Sequence, residues 1–309
     1  MSELLAPYTT FKIGGPADLF FDAKTVPELV MAVEEARKAG IAVFILGGGT
    51  NILIGDKGIR GLVIKNSTST IKILGMKGQQ RAGARTRSVF VSADSGVILN
   101  KLVRFTAEEG LGGLEMHLGL PGTVGGAVYM NSKWTKPMGY VGDVVYQAEI
   151  LTPTGERKIV LRTYFRFAYD TSSIQKTRDI VLSVVFALEG DNNDHVWNIA
   201  NDAIAYRRLT QPQGVKSAGC MFRNITESEV LRLGLPTEAT SAGFLVDHAG
   251  LKGIRLGDAQ ISPMHANFII NLGKASASDV VQLIDRAKEQ VKRQFGVTLT
   301  EEIERVGEF

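Results

Sequence analysis

The sequence predicts an α+β protein built from three subdomains. Amphipathic helical patterns alternate with short β-like apolar runs along the chain, and two dense glycine clusters interrupt them. The 309 residues also exceed what one hydrophobic core usually serves. Composition agrees: 44% hydrophobic and 22% charged residues describe a globular chain. Its 34 glycines, roughly 11% against a usual ~7%, indicate loops with unusual backbone demands.

The first subdomain covers residues 1–66. Thr25-Val-Pro-Glu28 reads as a capping box with proline just inside the helix, and Leu29, Val33 and Ala36 share one apolar face. Gly40 stands where a C-terminal cap belongs, and Ala42–Leu46 and Gly61–Ile64 read as buried strands. Residues 67–205 form the second subdomain, with strands at Thr70–Leu74, Ser88–Ala93, Ala148–Leu151 and Ile180–Leu188 and a helix at Leu99–Glu109 stopped by Gly110. Asp191–Asp194 is a polar turn, and 195–208 a helix running toward Pro212. In the third, 206–297, Ala266–Asn271 is a strand candidate. Ser276–Phe295 is the clearest helix: Val280, Leu283, Ile284, Ala287 and Val291 share a face and Gly296 closes it. The 298–309 tail is placed as returning to the first subdomain.

Charge and composition exclude several classes. A net charge of +3 with scattered basic residues leaves no nucleic-acid stripe and no polybasic membrane tether. The single cysteine, Cys220, rules out an internal disulfide and a multi-cysteine metal site. His117, His195, His248 and His265 are far apart and form no HExxH pattern, so no metal is expected. Met1–Tyr8 lacks the basic and apolar regions of a signal peptide, and no apolar run approaches the ~20 residues of a membrane span. The expectation is a cytoplasmic protein without membrane, nucleic-acid or obligate protein partners.

The most informative segment is Gly119-Leu-Pro-Gly-Thr-Val-Gly-Gly-Ala-Val-Tyr-Met-Asn131. A second cluster, Leu46-Gly-Gly-Gly-Thr-Asn-Ile-Leu53, follows an apolar run. Glycine costs backbone entropy, so such density points to tight turning or to close approach of peptide N–H groups to an anion such as phosphate. Two ordinary tight turns are the competing reading. No segment supplies the GxxxxGK[ST] of a P-loop. Gly47-Gly-Gly49 lacks the third glycine of GxGxxG, and Asn51-Ile-Leu-Ile54 is unlike the start of a polar helix. The common nucleotide folds are therefore disfavoured.

Eight motifs carry a resemblance over essentially the whole chain. They are Thr9-Thr-Phe-Lys-Ile-Gly-Gly-Pro-Ala-Asp18, the two glycine clusters, Ser217-Ala-Gly-Cys220, Ala242-Gly-Phe-Leu245, Gly250-Leu-Lys-Gly253, His265-Ala-Asn-Phe268 and Leu299-Thr-Glu-Glu-Ile303. In order and spacing the chain resembles the UDP-N-acetylenolpyruvoylglucosamine reductases, in the shorter of that family's two types. The resemblance implies a two-subdomain FAD-binding fold of the vanillyl-alcohol-oxidase type plus a C-terminal α+β substrate domain for a UDP-sugar. It implies non-covalent FAD lined by Leu46, Gly47, Gly48, Gly49, Thr50, Asn51, Ile52, Leu53, Gly119, Pro121, Gly122, Thr123, Gly125, Gly126, Ala127 and Arg207. It also implies NADPH as reductant, with hydride passing to C3 of the enolpyruvyl ether and negative charge developing at C2.

That chemistry asks for a proton donor and for groups that stabilise the anion. Cys220 lies where most of the family carries the proton-donating serine; a thiol of ordinary pKa, about 8.5, is largely protonated at neutral pH. A lone cysteine is more often a small buried hydrophobe, and only its place in Ser217–Asn224 reverses that preference. Glu302 matches the catalytic glutamate, although Glu301, Glu304 and Glu308 around it also suggest a solvated acidic tail. In that role it needs partial burial to raise its pKa. Tyr169-Asp-Thr-Ser172 aligns with a Tyr-Arg-x-Ser motif, so Asp170 reverses the charge of the arginine that stabilises the enolate. Arg166 or Arg223 could replace that cation, the local geometry could differ, or turnover could be weak. Tyr169, Arg223 and Asn224 are substrate-side candidates, and His265 is either structural or a substrate contact. An FAD-dependent alcohol or sugar oxidase, and a flavin-binding relative without turnover, are the alternatives.

Overall fold

The computed structural model describes residues 2–81, 84–136 and 138–309, which divide into two compact units. One unit holds Phe21–Gly48 and Ile64–Arg207. Its main sheet runs in the order Arg157–Leu161, Val145–Leu151, Ile180–Gly190, Ala84–Asp94, Ile71–Arg81, with every neighbouring pair antiparallel. Ile180–Gly190 is central because its sequence, IVLSVVFALEG, is rich in β-branched and apolar side chains, and most of them are buried. The helices Leu99–Glu108 and Val124–Met130 contribute Leu102, Val103, Val124 and Val128 to the core that also holds Val184, Phe186 and Leu188.

The helix Val26–Lys38 starts as its sequence directs. Thr25 Oγ1 accepts from Glu28 N at 3.3 Å, and Glu28 Oε2 accepts from Thr25 N at 3.2 Å. Leu29, Val30, Val33 and Ala36 are buried, each Val or Leu contributing about 1.5–3 kcal/mol. Gly40 closes the helix at φ +67°.

The other unit holds the chain up to Phe20, Gly49–Val63 and Arg208–Phe309. Its principal helix, Ala277–Phe295, carries the Ser276/Asp279 capping box and ends on Gly296 in the left-handed region. The Asp56 carboxylate accepts from the N–H groups of Ala277 and Ser278, at 2.8 and 3.1 Å, satisfying two donors that a helix start leaves orphaned. The buried face of this helix lies in a core with Leu245, Val246, Ile261 and Ile269. A three-stranded antiparallel sheet, Arg255–Leu256, Ala259–Ile261 and Ile269–Asn271, belongs to the same unit. The tail strand Glu304–Val306 pairs in parallel with Ile52–Ile54, at the end of the first glycine cluster.

Two local expectations are altered. The strand over Ala266–Asn271 shortens to Ile269–Asn271, because Phe268 N donates back to His265 O at 2.9 Å and the preceding residues turn. The helix expected at 195–208 spans Asn193–Thr210, since Asn192 Oδ1 accepts from Asp194 N at 2.8 Å and starts it inside the polar run. No helix among the described residues is long and apolar enough to cross a membrane.

Candidate active site

Within the first-described unit, Gly47 of the first glycine cluster meets Thr123 of the second. A Cβ on Gly47 would fall 2.6 Å from Thr123 Oγ1, so only glycine permits this approach. Thr123 caps the Val124–Met130 helix by accepting from Gly126 N, and Gly126 is exposed. Much of the second loop is bonded internally. Gly119 N donates to Asn100 Oδ1 at 2.6 Å, Leu120 N to His117 O, Val124 N to Val97 O, and Gly125 N to Ser95 O at 2.8 Å. The N–H groups of Gly122 and Thr123 donate to no other described residue, and neither do those of Gly48, Gly49 and Thr50. Leu46 is buried at the end of the strand Val43–Leu46, Ile52 and Leu53 lie in the strand that pairs with the tail, and Pro121 is exposed.

Cations stand beside these loops. The Lys65 ammonium donates to Gly47 O, and burial lowers its pKa. Arg207 is buried, its guanidinium 4.2 Å from the centre of the Trp134 ring, and its Cδ would lie 3.0 Å from a Cβ on Gly119. His117 is fully buried, and neither ring nitrogen has a hydrogen-bond partner among the described residues. Burial, aided by the charge of Arg207, depresses its pKa to about 3 and keeps the ring neutral. A close pair of glycine loops with unshielded N–H donors and flanking cations fits a dinucleotide pyrophosphate. Asn100, Lys65 and His117 were not singled out for this cluster, because no local spacing marks them.

Tyr169 and Asp170 form the tip of a two-residue turn closed by Ala168 and Thr171, whose N–H groups donate to each other's carbonyls at 3.1 and 3.2 Å. Asp170 adopts φ +52°, a left-handed conformation that aspartate tolerates better than most residues. Its buried carboxylate accepts from Lys133 Nζ through both oxygens, at 2.6 and 2.5 Å. The same ammonium lies 4.0 Å from the centre of the Tyr169 ring. Ser172 Oγ and Gln175 Nε2 donate to Tyr129 O, at 2.6 and 2.9 Å, tying this turn to the helix that follows the glycine loop. The cation that meets Asp170 is therefore Lys133, while Arg166 is exposed.

In the other unit, Cys220 and Glu302 are brought together by backbone pairing. Phe222 and Glu301 form an antiparallel bridge, with Glu302 N donating to Met221 O at 2.8 Å and Arg223 N to Thr300 O at 2.9 Å. Glu302 thus stands across from Met221, the neighbour of Cys220. Asn51 Nδ2 donates to Glu302 O at 3.0 Å, which joins the first glycine cluster to the tail. Asn267, buried in the His265–Phe268 motif, clamps the Cys220 segment: its Oδ1 accepts from Phe222 N and its Nδ2 donates to Phe222 O, at 2.9 and 2.8 Å.

The neighbouring acid is differently placed. Burial raises the Glu301 pKa, but Arg305 and Lys288 outweigh it and hold the carboxyl below its usual range. Asn224 Oδ1 accepts from Ala242 N at 3.2 Å, and Arg223 Nε is buried without a hydrogen-bond partner among the described residues. His265 Nδ1 accepts from Asn267 N at 3.2 Å, and burial lowers its pKa.

Residues 17–160 match the family model of the FAD binding domain, and residues 211–306 match that of the UDP-N-acetylenolpyruvoylglucosamine reductase C-terminal domain. A VAO-type flavoprotein from Myceliophthora thermophila is similar over 88% of this chain and 68% of its own, with a TM-score of 0.50 and 12% identity, a likeness of fold alone. The FAD-binding-domain match and the glycine loops define an FAD-binding flavoprotein, with a fold like that of the VAO-type flavoprotein.

The family is narrower. A UDP-N-acetylenolpyruvoylglucosamine reductase from Desulforamulus reducens is 35% identical over 100% of this chain and 93% of its own length. That of Anoxybacillus flavithermus is 37% identical over 99% and 93%. The crystal structure of the Thermus caldophilus UDP-N-acetylenolpyruvylglucosamine reductase superposes with a TM-score of 0.79 at 32% identity, covering 99% of this chain and 98% of that one. The chain belongs to the UDP-N-acetylenolpyruvoylglucosamine reductase family.

Proposed function

We propose that the protein reduces UDP-N-acetylglucosamine enolpyruvate to UDP-N-acetylmuramate in the cytoplasm, drawing its electrons from NADPH. The observation that carries this reading is full-length family membership combined with the pairing that sets Glu302 beside the Cys220 segment. Residues 1–66 and 67–205 are assigned to the cofactor and 206–297 to the UDP-sugar, with the tail bringing Glu302 back to Asn51.

FAD, when bound, would supply the two-electron redox chemistry that couples NADPH oxidation to reduction of the enolpyruvyl double bond. Gly47, Gly48, Gly49, Thr50, Asn51, Gly122, Thr123, Gly126 and Arg207 would hold it. Cys220 donates the thiol proton to C2, so the C2–C3 double bond becomes single, and solvent restores the proton to the thiolate. Glu302 assists that protonation. Asn267 fixes the backbone that carries Cys220.

The test is NADPH oxidation followed with and without UDP-N-acetylglucosamine enolpyruvate, with the product analysed by mass spectrometry. Substrate-dependent oxidation and a product heavier by two hydrogens are expected. NADPH oxidation that depends only on oxygen would replace this reading with an oxidase or an uncoupled flavoprotein.

A further inference from the structure

We infer that Glu301 is a positioning residue: clamped by Lys288 and Arg305, it sets the backbone that carries Glu302 across from the Cys220 segment. The inference rests on the proposed roles of Cys220 and Glu302. It concerns an acid that in the sequence looks like part of a solvated tail. All the residues involved belong to the unit that holds Arg208–Phe309.

Three observations lead to it. First, the Glu301 side chain is only 18% exposed and is gripped from two directions. Lys288 Nζ donates to its Oε1, while Arg305 donates to Oε1 through Nη2 and to Oε2 through Nε, both at 2.8 Å. A two-pronged guanidinium–carboxylate pair fixes direction as well as distance. Lys288 stands on the helix Ala277–Phe295 and Arg305 in the tail strand Glu304–Val306, so the carboxylate ties the stretch before that strand to both elements. Arg305 Nη2 also donates to Asp285 on the same helix, at 3.3 Å. Two acids meet two bases, so the clamp orients the chain without adding net charge beside Glu302.

Second, the same stretch is paired with the Cys220 segment. Glu301 bridges Phe222, two residues beyond Cys220, with Arg223 N donating to Thr300 O on one side and Glu302 N to Met221 O on the other. The clamped residue is thus the register point of that pairing. Third, Leu299 and Ile303 are buried in the core that holds Ile284, Ala287 and Val291 of the helix. Successive side chains of an extended chain alternate between its two sides. Leu299, Glu301 and Ile303 share the side toward the helix, which leaves Glu302 on the other. A shift of Glu301 passes directly to Glu302, and a misplacement of ~1 Å can cost about 10²-fold in rate.

Anaerobic stopped-flow on the FAD-loaded protein tests the assignment. Lys288 and Arg305 keep 35% and 31% of their side chains exposed, so removing the carboxylate strands no buried cation. Glu301→Ala should bind flavin and be reduced by NADPH as the wild type is, while reoxidation by UDP-N-acetylglucosamine enolpyruvate slows about 10–10²-fold. Glu301→Gln, which keeps the shape and one acceptor, should fall between the two. A cycle with Glu302→Gln separates positioning from structure. An effect that acts through Glu302 should shrink to less than about twofold when Glu301→Ala is made in the Glu302→Gln protein.

Glu301→Ala that reoxidises at the wild-type rate, or that slows reoxidation by the same factor with and without Glu302, overturns the positioning role. So does a pair of variants, alanine and glutamine alike, that lose flavin and both half-reactions together. Glu302→Gln that reoxidises normally, or wild-type reduced flavin that the enolpyruvyl sugar never reoxidises, overturns instead the catalytic reading beneath it, a result distinguishable from failure of Glu301 alone.

Discussion

Replacing His117 with leucine tests the electrostatics of the buried cluster beneath the glycine loop. The imidazole is fully buried, neither ring nitrogen has a partner among the described residues, and its pKa falls from 6.5 to about 3 through burial and the charge of Arg207. Below about pH 6.5 the unfolded chain takes up a proton that the folded chain refuses, so the unfolded state binds more protons and stability falls with falling pH. The loss begins near the unfolded pKa and continues down to the folded value. Between about pH 7.5 and pH 5.5 this one group removes about 1.4 kcal/mol of stability. Leucine carries no such linkage, and it also replaces two unsatisfied buried nitrogens, a change that ranges from neutral to stabilising. Urea midpoints of both proteins with saturating FAD, measured at the two pH values, give the comparison. His265, whose pKa burial also lowers, is common to both and cancels. The variant should hold its stability relative to wild type as pH falls. Equal pH slopes for the two proteins would refute the account of His117 as a buried neutral base.

Three further outcomes follow from the site. Gly47→Ala drives a methyl group against Thr123 Oγ1 and separates the loops; the purified variant should carry much less flavin per chain by absorbance, and full flavin content would contradict the cradle. Cys220→Ala should still be reduced by NADPH while reoxidation by substrate falls on the order of 10²–10⁴-fold, and unchanged turnover removes Cys220 from its role. Asn267→Ala leaves Phe222 N–H and C=O without their partners, at a cost of about 1–3 kcal/mol each, read as a lowered urea midpoint with flavin retained.

Local rules made much of the fold legible. The capping boxes at Thr25/Glu28 and Ser276/Asp279 involve residues three apart, and the apolar face of Ala277–Phe295 repeats at helical spacing, so short windows contain them. The rejection of GxGxxG held for a related reason: Ile52–Ile54 is a strand, and no helix opens there. What was not legible is non-local. The parallel pairing of Glu304–Val306 with Ile52–Ile54 has no signature in either segment. Cys220 and Glu302 were named from the resemblance, and only chain pairing across distant sequence places them near one another. Lys133 escaped notice because its partner lies 37 residues away, and nothing in Asn131-Ser-Lys-Trp134 announces a buried ion pair. His117 looked like any isolated histidine until its burial was visible.

The central claim is tested most directly by the flavin of the wild-type protein under anaerobic conditions. Mixed with NADPH, its visible absorbance should bleach; addition of UDP-N-acetylglucosamine enolpyruvate should then restore it, in proportion to the substrate added. Flavin that bleaches with NADPH and returns only when oxygen is admitted would contradict the account.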